Sequence, residues 1–119
     1  QQLQKLASGN RIVLKLGVRG AVMIDLADGA LSEIPPLPLK ELGLNVISAV
    51  GCGDVFVGVF AAYHVTGSSL EQSLIMASAA AGLSAARPET RGSPDRDRLE
   101  EVVNRSRERG FTVRKRELL

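Results

Sequence analysis

Apolar positions fall into short runs in the first half of this chain and into helix-length runs in the second. Leu3 and Leu6 share helical spacing and Gly9-Asn10 follows, which predicts the last turns of a helix over residues 1–8 whose beginning lies upstream. Ile12, Val13, Leu14 and Leu16 make residues 11–16 a short buried strand. Gly17-Val18-Arg19-Gly20 turns the chain into a second strand over 21–26. Asp28-Gly29 is a hairpin signal, so residues 30–34 return as a third strand. Pro35-Pro36-Leu37-Pro38 suits neither helix nor central strand and reads as a rigid surface connector. A short strand is expected over 44–47.

Beyond residue 50 the period lengthens. Val55, Phe56, Val57, Val59, Phe60, Ala61 and Ala62 are apolar on nearly every side of a helix running from 54 to about 65, the pattern of a helix buried all round. Gly67 ends it. Ser68-Ser69-Leu70-Glu71 then caps a helix that runs to about 87, and its small residues, Ala77 to Gly82, imply a close neighbour, expected to be the preceding helix. Residues 88–94 read as a polar loop. An amphipathic helix over 95–109 turns Leu99, Val102 and Val103 inward and stops at Gly110. Phe111-Thr112-Val113 either adds an edge strand or packs on the body. Strands followed by helices at these lengths indicate an α/β layered fold with helices on a central sheet.

Composition narrows the class. At 119 residues and 45% hydrophobic content the chain supports one globular domain at most. Three Phe, one Tyr and no Trp leave packing to aliphatic side chains and offer little for stacking bases. Ten of the fifteen Lys and Arg lie from Arg87 onward, but so do seven of the thirteen acids, so the net charge is only +2 and the basic Arg114-Lys115-Arg116 reads as solvated, with no nucleic-acid partner expected. No apolar run reaches membrane-spanning length and nothing resembles a signal peptide, so no membrane partner and a cytoplasmic location are expected. Cys52 has no disulfide partner and no metal-ligand set, and no protein-held metal is predicted.

One stretch carries chemistry, Ser48-Ala49-Val50-Gly51-Cys52-Gly53-Asp54-Val55-Phe56-Val57-Gly58. Two glycines let backbone approach a ligand, and the free N–H groups at a helix N-terminus favour an anion such as a phosphate. Asp54, in the first turn, is placed to take a proton from a hydroxyl attacking phosphorus. The same residues also serve plain capping, since Asp suits a helix start and glycine suits any tight turn.

Gly51-Cys52-Gly53-Asp54, followed by Phe56 and Gly58, resembles the second signature of the ribokinase-like, or PfkB, family of carbohydrate kinases. The resemblance extends over about residues 11–103. It implies a layered α/β/α sandwich, with residues 1–119 forming only the carboxyl-terminal nucleotide-binding and catalytic portion of a longer kinase. It also implies ATP-dependent phosphoryl transfer with Mg2+ to a sugar or sugar phosphate. Asp54 then corresponds to the base and the loop of Gly51, Cys52 and Gly53 to the anion hole. Lys15-Leu16-Gly17-Val18-Arg19-Gly20 is similar to the strand-turn motif beside the nucleotide phosphates, which carries over Lys15, Gly17 and Gly20. Ala81, Ser84 and the loop at Gly92 correspond to the adenine pocket. Ser48-Ala49-Val50 departs from the Asp-Thr-Thr of the ribokinase branch, where a monovalent cation is held. Ser48 and Val50 look instead like the branch of fructose-1-phosphate and tagatose-6-phosphate kinases, which usually has Thr where Ala49 stands. Ribokinase-type or nucleoside acceptors, and a nucleotide-binding module without catalysis, stay open, as does assembly into a homodimer.

Overall fold

The computed structural model describes residues 4–8, 11–15, 20–26, 29–45, 52–86 and 96–117. Strands β1 (Gln4–Ser8), β2 (Arg11–Lys15), β3 (Ala21–Asp25), β4 (Ala30–Ile34) and β5 (Arg114–Glu117) form one sheet in the order β1-β2-β3-β4-β5. Each neighbouring pair is antiparallel. Helices α1 (Cys52–Val65), α2 (Leu70–Ala86) and α3 (Arg96–Arg107) separate β4 from β5 in the chain. The result is the expected α/β layering of helices on a sheet.

The helical ending expected over residues 1–8 does not form, because Gln4–Ser8 is a strand with Ser8 opposite Arg11. Only Gly9 and Asn10, outside the described residues, separate those partners, and a two-residue Gly-Asn link is hairpin chemistry. Two leucines three apart are a weak helical signal beside a strand ready to pair.

Alternation then decides which face of the sheet is covered. Val13, Met23 and Ser32 share one cross-strand row and Ala21 and Ile34 the next, and all five are buried. The four apolar ones join one core with the helices, and α2 packs directly on β3 and β4. Ile12, Ile24 and Leu31 occupy the alternate row and are only partly buried.

The helix buried on nearly every side is α2, not α1 as its apolar run suggested. Ala77, Ala79 and Ala80 on α2 have no exposed surface, since their small size lets the sheet, α1 and α3 all approach. On α1, Phe56, Val59 and Phe60 are buried, while Val57 is 40% and Val65 83% exposed. Among the described residues α2 is its main neighbour, so α1 keeps an exposed side.

Helix ends follow their local signals. The Gln72 N–H donates to Ser69 Oγ at 3.0 Å, making Ser69 the cap of α2. Beyond α1, Gly67 takes φ +95°, and the N–H groups of Gly67 and Ser68 donate to the carbonyls of His64 and Tyr63. After α3, Gly110 takes φ +89°, and Gly110 and Phe111 donate to Arg107 and Ser106 in the same manner. Both are Schellman endings. The second drives Phe111 into the core at 1% exposure.

Phe111 therefore packs on the body, and the edge strand forms one step later from the basic residues. Lys115 pairs with Glu71, and Arg116 Nε lies 3.4 Å from Glu33 Oε1. A charged outermost strand resists pairing with another chain. Leu44 and Asn45 lie in no strand, and residues 46 and 47 of that expected element are outside the described residues. So is the expected loop at 88–94. No described helix is long and apolar enough to cross a membrane.

Candidate active site at the start of α1

The first turn of α1 contains Cys52, Gly53 and Asp54. Helix geometry leaves its leading N–H groups without intrahelical partners, so they carry the positive end of the helix field. Asp54 is exposed and Gly53 half-buried, as an accessible site requires. Phe56, two residues on, is 2% exposed and stacks on Phe60 with centroids 6.2 Å apart and rings inclined by 17°. Gly51 lies outside the described residues, as do Ser48, Ala49 and Val50.

The register brings other candidate residues to the same end of the molecule. Lys15 closes β2 opposite Ala21, and Ala21 pairs in turn with Ile34 at the end of β4. Gly20 sits directly before β3, buried, at φ +98°. A Cβ there would lie 2.1 Å from the Ile34 carbonyl oxygen, so packing alone requires glycine at this position. Pro35 leads on to Leu37, which touches α2 at Gly82. Because only residues 66–69 connect α1 to α2 and the two pack along each other, they run antiparallel. The end of α2, with Ala81 and Ser84, therefore lies beside the start of α1. Ala81 is 4% exposed and serves the core, whereas Ser84 is half-buried. Gly17 and Gly92 lie outside the described residues.

A concavity of about 230 Å³ lies two turns further along α1. Gly58, Ala62, Tyr63 and Thr66 line one side and Arg96 and Leu99 of α3 the other, with the Arg96 guanidinium 5.1 Å from the Tyr63 ring centroid. No pattern in the sequence pointed to it, since Tyr63 and Arg96 meet only through the packing of α3. Among the described residues no group of three His, Cys, Asp or Glu side chains is placed to hold a metal ion.

Comparison with known proteins bears on the fold and the family. A 49-residue segment is 45% identical to the bifunctional protein HldE of Yersinia enterocolitica, covering 41% of this chain and 10% of that protein. The nucleoside kinase of Methanocaldococcus jannaschii, an archaeal member of the ribokinase family, superposes with a TM-score of 0.67 at 23% identity. That match covers 81% of this chain and 30% of the kinase. Arabidopsis thaliana ribokinase, solved with ribose and ATP, gives a TM-score of 0.66 at 26% identity over 79% of this chain and 29% of its own. The chain thus spans less than a third of the length of these proteins. The model of the pfkB family carbohydrate kinases matches residues 1–97, most of the chain and every element through the start of α3. The chain belongs to the pfkB family of carbohydrate kinases.

Proposed function

We propose that this chain is the carboxyl-terminal, nucleotide-binding and catalytic portion of an ATP-dependent kinase acting on a hydroxyl of a sugar or sugar phosphate. The observation that carries the reading is the placement of Asp54, exposed in the first turn of a helix whose free N–H groups suit a phosphate. Asp54 accepts the proton of the acceptor hydroxyl as its oxygen bonds to the terminal phosphorus. The bond from that phosphorus to the bridging oxygen breaks, and ADP leaves. The N–H groups of Cys52 and Gly53 stabilise charge on the transferring group, with Gly51 included on the strength of the family signature.

Lys15, Gly17 and Gly20 sit beside the phosphates in this reading, and Ala81, Ser84 and Gly92 beside the adenine. Magnesium bound with the nucleotide would supply positive charge to offset that of the phosphates. The known ribokinase complex with ribose and ATP supports the nucleotide and the acceptor class, and it favours ribose-type acceptors as a second reading.

The test is acceptor-dependent ADP release by the protein carrying this chain, with ATP, magnesium and a panel of sugar phosphates, ribose and nucleosides. Asp54→Asn should lower turnover by about 100-fold or more while the fold persists. Near-normal turnover in that variant removes Asp54 as the base. ATP binding without transfer to any acceptor would make this a nucleotide-binding module.

A further inference from the structure

We infer that Phe56 is a positioning residue for Asp54, setting the rotation of α1 about its own axis. The inference rests on the assignment of Asp54 as the base and extends it to a side chain that never meets substrate. Successive residues turn a helix by about 100°, so Phe56 and Asp54 point to nearly opposite sides of α1. Phe56 is buried and Asp54 exposed.

The deepest packing of the helix runs along one stripe, flanked by the half-buried Val55 and Tyr63. Phe56, Val59 and Phe60 are buried against the core, whereas Val57, Gly58, Ala61 and Val65 are exposed, and a Cβ built at Gly58 meets nothing within 4 Å. The stripe resists a roll of α1 by burial, since Phe56, Val59 and Phe60 sit in the core at 2%, 6% and 7% exposure and a roll would carry them out of it. Phe56 is the member of the stripe nearest Asp54 and the most deeply buried.

Small rolls matter. A helical side chain ends about 6 Å from the axis, so a roll of about 10° displaces the Asp54 carboxylate by about 1 Å. A 1 Å misplacement of a reacting group costs about 100-fold in rate. Removing the Phe56 ring opens space on the side toward which α1 can roll, while leaving the nucleotide's contacts to backbone largely in place.

The experiment compares Phe56→Ala and Phe56→Leu with Phe60→Ala in the protein carrying this chain, measuring stability, kcat and nucleotide KM. Phe60→Ala removes an equal ring from the same stripe, one turn further from Asp54. Phe56→Ala should lower kcat about 10- to 100-fold with nucleotide KM within about threefold, and Phe56→Leu should restore most of it. Phe60→Ala should cost similar stability and change kcat less than about threefold. If Phe56→Ala does not fold, Phe56→Leu must still lower kcat more than Phe60→Leu. Equal kcat losses at the two positions overturn the positioning role while leaving Asp54 as the base. Full turnover in Asp54→Asn overturns both, so the two failures are told apart.

Discussion

Replacing Gly20 with alanine tests the close approach at the end of β3 and β4. At φ +98° an L-residue is strained whatever its surroundings, which costs about 1–2 kcal/mol. The added Cβ would stand 2.1 Å from the Ile34 oxygen and 2.9 Å from the Pro35 carbonyl carbon. Carbon–oxygen contacts seldom fall below about 3.3 Å, so the backbones must part by more than about 1 Å. Both neighbours are backbone, and neither can swing aside as a side chain would. Opening them strains the Ala21–Ile34 pair at the edge of the core, an overpacking cost of about 1–3 kcal/mol. The sum is about 2–5 kcal/mol, a large share of the 5–15 kcal/mol typical of a domain. Gly29→Ala is the control. Its φ is also positive, at +64°, but nothing lies within 4 Å of the added Cβ, so only the backbone strain of about 1 kcal/mol remains. Equilibrium urea unfolding of the two variants reads the difference. Equal losses at the two glycines would refute the steric argument and leave conformation alone to explain Gly20.

Two further predictions probe α2 and its surroundings. Gly82→Ala gains helix propensity of about 1 kcal/mol, yet its Cβ would lie 3.0 Å from Leu37 Cβ and 3.2 Å from Leu37 Cδ2. The substitution should therefore be neutral or destabilising alone and stabilising in a Leu37→Ala background, and a double-mutant cycle by urea unfolding that shows additivity would deny the contact. Phe111→Ala should cost about 3–5 kcal/mol in the same measurement, because its ring is 1% exposed although it stands outside every helix and strand. A loss under about 1 kcal/mol would mean that the ring does not pack in the core.

Much of the fold was legible wherever neighbouring residues decide the outcome. Asp28-Gly29 announced the β3–β4 hairpin, Ser69 the start of α2, and Gly67 and Gly110 the ends of two helices, because turns and caps depend on φ and on nearby hydrogen bonds. Leu99, Val102 and Val103 marked the inner face of α3 through their spacing, and all three are buried. The candidate site was legible as the motif around Asp54. That reading came from the glycine pattern and its likeness to a known signature, and the structure adds the exposure of Asp54 and its place at one end of the molecule.

What depends on partners was not legible. Gln4–Ser8 became a strand because β2 offered an edge, and the basic residues 114–117 became one because β4 offered the other. Gly20 reads in sequence as one more turn glycine, and only the arrival of Ile34 and Pro35 shows why a side chain is excluded there. The sequence by itself determined the β2 to β4 strands, the three helices and their caps, and the residue types at the start of α1, since these rest on interactions within a few residues. The tertiary structure decided which helix is central. α1 has the richer apolar run, yet α2 is the one enclosed, because burial depends on how many neighbours reach a helix, and the alanines of α2 let three of them approach.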